Sequence, residues 1–178
     1  MGSTGLPELP EIKAQPARRN AMPWVIALVA LSVVIDRLTK LWVHAHVPMG
    51  GGITIIPRVF RISNVINTGA AFSLFTDSLD PLKVRYALVA FSILAIVVVS
   101  VMLARAGRYF NSTSIGLALI LGGAIGNLYD RVKLHYVIDF LEVHIINYHW
   151  PDFNVADSCI CIGACLLMFE VIRPQAER

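Results

Sequence analysis

The stretch FNVADSCICIGACLLMFEVI, residues 153–172, decides the fold. A helix rises about 1.5 Å per residue, so about 20 residues of this composition are long enough to cross a hydrocarbon core of about 30 Å. The segment opens with Asn154 and Asp157. The second of these sits about one turn inside, roughly 5 Å along the axis. A carboxylate in that place has to be explained.

Three further apolar stretches, Trp24 to Val47, Arg85 to Leu103 and Ser114 to Tyr129, are close to the same length. The third is short and depends on residues 111–113 and Asp130 being drawn toward the interface. The chain of 178 residues is 56% hydrophobic and only 15% charged, with a mean hydropathy of +0.66. Soluble domains carry roughly a quarter charged residues. The class that follows is an all-α integral membrane protein with four transmembrane helices and no separate soluble domain. Residues 1–22, rich in Pro, Gly and charge, are expected to be a disordered cytoplasmic tail, in part with the look of an expression leader. Residues 23–173 form the membrane domain, and 174–178 a short cytoplasmic tail. Trp24 to Ile35 follows Arg18 and Arg19 as a signal-peptide core would, but no A-x-A-like cleavage site appears and the helical pattern runs on through DRLTKLWVHAHV, so the span is retained. A net charge of +3 with basic residues flanking the spans offers no stripe for nucleic acid.

The basic flanks set the orientation. Lys13, Arg18, Arg19, Arg105, Arg108, Arg173 and Arg178 fall on one side; Arg58, Arg61, Lys83, Arg85, Arg131 and Lys133 fall on the other. The N-terminal cluster favours both termini in the cytoplasm. Independently of orientation, the exit of the first span, the first loop, the exit of the third span and the start of the fourth share one compartment. There the polar residues gather: Asp36, Arg37 and Lys40; Asn67 to Gly69; Asn127, Asp130 and Arg131; Asp139; Asn154 and Asp157. A charge at the bilayer centre costs at least about 2.5–3.5 kcal/mol on insertion scales, so such a cluster implies a shared polar cavity near one leaflet. A channel or carrier would need polar groups through the other half as well, and few are there.

Each feature has a plain structural reading. Asp36 and Lys40, at i, i+4, suit an internal ion pair. Asn154 suits a helix cap, with Asp157 in the first turn favoured by the helix dipole. Arg131, on the same face as Asn127, has the length to snorkel to the interface. Gly122 and Gly126 form a G-x-x-x-G of the kind that packs helices closely. Cys159, Cys161 and Cys165 on one apolar segment read as small packing residues, and residues 111–113 as a helix start. His135, Asp139, Glu142, His144 and His149 raise a metal alternative, but no H-E-x-x-H or similar pair appears, and neither a metal nor another cofactor is expected to serve the chemistry.

Two carboxyls close together in a poorly hydrated site do not both ionise easily, and one keeps a proton that its partner shares. Asp139 paired with Asp157 then has the means to activate water and polarise a peptide carbonyl. The competing classes are a proton-coupled membrane carrier with the aspartates as a relay, and an inert scaffold that tolerates their loss.

The motifs NTGAAFSLF (67–75), GGAIGNLYDR (122–131), VIDF (137–140) and FNVADS (153–158), in this order around four spans and with DRLTK (36–40) ahead of them, resemble the bacterial lipoprotein signal peptidase family, signal peptidase II. The resemblance runs from Asp36 to Gly163. It implies an inner-membrane aspartyl peptidase that removes the signal peptide from diacylglyceryl-modified prolipoproteins, cleaving before the lipidated cysteine, with its active site toward the extracytoplasmic face. By motif position Asp139 and Asp157 are the catalytic pair. Asn67, Gly123, Asn127, Arg131 and Asn154 line the site, and Asp36, Lys40 and Asp130 support it. The resemblance also implies a small extracytoplasmic β-rich cradle, which fits GGITIIPRVFRISNVINTG (51–69), a cover over the site from Phe140 to Trp150, contact with membrane lipid, and inhibition by the peptide antibiotic globomycin. Arg37 stands where the family commonly has Gln, and His135 where Gly is common.

Overall fold

A computed structural model of the chain describes residues 20–69, 80–146 and 148–173. Four helices carry the apolar stretches: α1 (Met22–His46), α2 (Pro81–Ala106), α3 (Ser112–Lys133) and α4 (Val155–Ile172). All four are long and apolar enough to cross a membrane. Between them lie β1 (Gly52–Ile56), β2 (Phe60–Asn67), β3 (Val137–Ile145) and β4 (Tyr148–Phe153), one antiparallel sheet in the order β1-β2-β3-β4.

Local chemistry sets the helix starts. The Asp80 carboxylate accepts a hydrogen bond from the Leu82 amide at 2.9 Å, and Pro81, which lacks an amide hydrogen, follows it at the first turn of α2. The helix therefore begins four residues before the apolar run from Arg85. Asn111 and Ser114 bond each other's backbone amides reciprocally at the start of α3, which fixes residues 111–113 as a helix cap. At the other end α3 runs past Tyr129 to Lys133, because Asp130 is fully buried and paired within the protein instead of being drawn to the interface. α1 starts at Met22, and Ala21 is buried just ahead of it. Residues 1–19 and 174–178 fall outside the described residues, as does the NTGAAFSLF motif from Ala70 onward.

α3 is the central helix, in contact with the other three, and glycine makes this possible. A Cβ on Gly122 would lie 2.6 Å from the Ser32 Cβ of α1, and one on Gly126 would lie 2.6 Å from the Asp36 carboxylate. The G-x-x-x-G reading thus holds for the α1–α3 contact. On the next face, Gly116 and Gly163 bring α3 and α4 together, each Cβ position falling within 3 Å of the other residue's carbonyl oxygen. Large apolar side chains such as Phe91, Leu94 and Phe169 point outward, the arrangement a lipid solvent allows. At one end of the bundle Val25, Leu103, Leu117 and Ala118 close a core. At the other end Val43 of α1 and Val47 just after it pack under Phe140, seating the sheet on the helix ends.

The cradle expected over residues 51–69 supplies β1 and β2, and the chain adds two strands from 137–153. The segment expected to cover the site from Phe140 to Trp150 is therefore paired sheet. α3 ends with the Leu134 and His135 amides both bonded to the Asp130 carbonyl, and His135 takes φ 73°, the left-handed conformation that glycine adopts without strain. The family's common Gly at this position thus has a backbone reason. His135→Gly is expected to be neutral or to stabilise the protein by up to about 1 kcal/mol, whereas His135→Val destabilises it. Thermal unfolding of the three proteins in the same detergent checks this.

Candidate active site

Four elements deliver the polar side chains to one end of the bundle. Asp139 is the third residue of β3, opposite Val65, and is 3% exposed. Its Oδ2 accepts a hydrogen bond from Asn67 Nδ2 at 2.9 Å, at the end of β2. Its Oδ1 accepts from Asn154 Nδ2 at 2.7 Å, at the cap of α4. Asp157 is the third residue of α4. Its Oδ1 accepts from Asn127 Nδ2 at 2.8 Å, and its Oδ2 accepts from the Asn154 amide at 3.2 Å, while its own amide donates to Asn154 Oδ1 at 3.0 Å. The capping reading of Asn154 is therefore right, and the cap does more than end a helix. One Asn154 side chain holds α4 through its oxygen and Asp139 through its nitrogen.

Both carboxylates face a cavity of about 660 Å³, with Asn67, Asn127 and Arg131 also on its wall. Burial pushes the Asp139 carboxyl up from its usual 3.8 to about 7, and the nearby Asp157 charge adds to this; the amides of Asn67 and Asn154 and the Lys40 charge oppose it. Arg131 stands within electrostatic reach of both aspartates. Its Nη1 reaches the Asn127 carbonyl at 3.4 Å, so it turns inward, not out to the interface.

Beneath the cavity lies an ionic layer. Lys40, fully buried, is 2.9 Å from Asp36 Oδ2 and 2.8 Å from Asp130 Oδ2, and donates to Asn127 Oδ1 at 3.1 Å. The i, i+4 pair is there, and Lys40 is shared by three acceptors. Asp36 Oδ1 accepts from the Ala156 amide at 3.0 Å, satisfying an otherwise unpaired donor in the first turn of α4. Asn127 is the link between layers, since its oxygen meets Lys40 and its nitrogen meets Asp157. Gly123 contributes space, not contact: a Cβ there would lie 2.3 Å from the Ala156 carbonyl oxygen. The structure thus brings together all ten residues singled out from the sequence, the two aspartates at the cavity and the others around or beneath it.

A model of the family described as Signal peptidase (SPase) II matches residues 28–173. The chain belongs to the signal peptidase II family. A lipoprotein signal peptidase of Pseudomonas putida is 42% identical over 158 residues, 88% of this chain and 90% of that protein. One of Pseudomonas aeruginosa is 40% identical over 159 residues, covering 89% and 92%. Among solved structures, a bacterial membrane enzyme determined at 2.3 Å superposes with a TM-score of 0.80 at 22% identity, over 92% of this chain and 99% of that one, and so shares its fold. As a signal peptidase II family member, the chain is a membrane hydrolase whose family removes signal peptides from prolipoproteins.

In this chain several wall residues were not legible beforehand. Trp150, Asp152 and Phe153 line the cavity from β4, and Ile160 and Cys161 from α4. Ser63 donates to Asp152 at 3.0 Å, while burial raises that carboxyl. Cys161 thus opens onto the cavity, beyond the packing role expected of the three thiols. Arg37, the departure in the first motif, pairs with Asp130 and lies 4.4 Å over the Tyr129 ring. Only the acid of 130 and the base of 37 were visible in sequence, 93 residues apart.

Proposed function

We infer that the protein is an aspartyl endopeptidase that removes the signal peptide from diacylglyceryl-modified prolipoproteins, cutting before the lipidated cysteine, with Asp139 and Asp157 as the catalytic pair. The observation that carries this reading is the placement of two carboxylates from different elements on one cavity, one of them held near neutrality. Near neutral pH the pair holds one proton, carried by the Asp139 carboxyl that burial raises to about 7. The ionised carboxylate takes a proton from water as the oxygen attacks the peptide carbonyl; the protonated one donates to the carbonyl oxygen, which becomes a hydroxyl of the tetrahedral intermediate. Collapse re-forms the carbonyl, breaks the C–N bond and hands a proton to the leaving amine. The pair ends with one proton, as it began. Asn67, Asn127 and Asn154 hold the carboxylates through amide hydrogens, and Lys40 with Asp36 and Asp130 fixes Asn127 from below. The apolar wall of Ile160 and Phe153, beside α4, suits a substrate held in lipid by its acyl chains and by an apolar signal helix, and globomycin as a competitor on the same pair.

The same reading places the sheet and cavity toward the extracytoplasmic face and both termini in the cytoplasm of the bacterial inner membrane. Residues 23–173 act as one peptidase unit between two cytoplasmic tails. The sheet joins the exits of α1 and α3 to the start of α4, the ends that share one compartment, and α1 begins at the other.

Purified protein in detergent, with EDTA present, is expected to cleave a lipobox peptide carrying diacylglycerol on its cysteine, with product masses that place the cut just before that residue. The unlipidated peptide is expected to be a far poorer substrate. Proton-coupled transport in sealed vesicles without cleavage would favour the carrier. Because Asp139 is raised to about 7 by burial and the Asp157 charge, kcat/KM is expected to fall as pH rises through about 7 to 8, when the shared proton is lost.

A further inference from the structure

On β3, Glu142 and His144 are two residues apart and share a face, and His149 of β4 stands directly opposite His144 in the register. Glu142 Oε1 is 2.8 Å from His144 Nε2 and 3.7 Å from His149 Nε2. All three candidate ligand atoms lie within 4.8 Å of one another. A tetrahedral zinc with bonds of about 2.0 Å sets its ligand atoms roughly 3.3 Å apart, inside that spread. The two imidazole rings are 4.9 Å apart and inclined by 55° to each other instead of stacked.

The surroundings fit a cation ligand set better than a simple hydrogen bond. Glu142 is buried, and its other oxygen is held by Arg61 Nη1 at 3.1 Å across the β2–β3 pair. This is the kind of outer contact that orients a carboxylate and leaves its second oxygen facing the two histidines. The His144 amide is anchored to the Val59 carbonyl at 2.8 Å. One proton accounts for the His144–Glu142 contact, but not for His149, whose nitrogen points at the same oxygen from beyond hydrogen-bond distance. Both histidines reach water, which gives an entry path and room for a fourth ligand. Two imidazoles and one carboxylate suit a zinc-class ion and are too few oxygens for calcium. The sequence spacing offers no familiar metal motif because the third ligand is supplied by strand register. Glu142 is also three residues from Asp139 on the same strand, so the two point to opposite faces.

We propose that Glu142, His144 and His149 bind one zinc-class divalent cation that ties β3 to β4, apart from the peptidase's chemistry. The test is a titration of tag-free, metal-stripped full chain with Co²⁺, read by its ligand-field absorption, followed by displacement with Zn²⁺. The expected result is one equivalent bound with the strong absorption of a four-coordinate site, and affinity lowered about 10-fold or more by His144→Gln and by His149→Gln. His135→Asn is expected to change nothing. Helical circular dichroism and melting of each variant separate lost binding from lost folding. Absence of saturable one-equivalent binding, or equal affinity in well-folded His144→Gln and His149→Gln variants, overturns the proposal. The readout is binding, so it stands or falls independently of peptide cleavage.

Discussion

Asp139→Asn and Asp157→Asn are each expected to lower kcat on the lipidated peptide by about a thousandfold or more, with the protein still folded. Positioned acid–base groups contribute about 10² to 10⁴ each, and the pair works as a unit, so the double variant is expected to lose little more than either single one. Such non-additivity separates a shared-proton pair from two independent groups. Stability is expected to move the other way at high pH. Asp139 is held above its usual 3.8, so the folded state binds its proton more tightly than the unfolded chain. That contribution is full below about pH 4 and is lost as pH rises through about 7. Asp139→Asn removes the cost of ionising a buried acid, which is at most about 4 kcal/mol at pH 8 and vanishes at low pH. The gain is smaller in practice, because an amide nitrogen at position 139 meets the donor amides of Asn67 or Asn154. Melting of the variant relative to wild type at pH 5 and pH 8 checks the sign.

Lys40→Met is expected to be the most damaging single change away from the cavity. Lys40 is the common cation of Asp36 and Asp130, all three fully buried, and it also donates to Asn127. Methionine keeps much of the volume but leaves buried carboxylates short of their counter-charge, a loss of about 3–5 kcal/mol in comparable sites. Arg37 remains on Asp130 and offsets part of this, so Asp36 suffers most. Through Asn127 the change reaches Asp157, and activity is expected to fall with stability. Lys83→Met, at an exposed position, is the control and is expected to stay within about 0.5 kcal/mol of wild type. Unfolding and cleavage measured on both variants in one detergent decide the point.

The spans and the polar cluster were legible because lipid imposes strict rules. A helix must be about 20 apolar residues long, and carboxylates inside it are costly enough to require a reason. Asp36 with Lys40, and Asn154 with Asp157, carried their contacts in local spacing, which a helix converts directly into geometry. The strands carrying Asp139 and Trp150 were harder to see. VIDFLEVHI mixes charged and apolar residues without clean alternation, and YHWPDF holds a proline, which argues against an inner strand; β4 tolerates it at the sheet edge. Contacts set by tertiary packing left no trace in spacing: Arg37 with Asp130, Ser63 with Asp152, and His149 facing His144. Arg37 looked like a departure from a motif until the structure gave it a partner.

The central claim is that Asp139 and Asp157 share a proton, and direct titration of Asp139 tests it. Carboxyl-labelled aspartate followed by ¹³C NMR in detergent, with the signal assigned by its loss in Asp139→Asn, gives the pKa in wild type and in Asp157→Asn. The account predicts a value of about 7 in wild type and a lower one once the Asp157 charge is gone. An Asp139 that titrates in the ordinary carboxylate range, unmoved by Asp157→Asn, would contradict it.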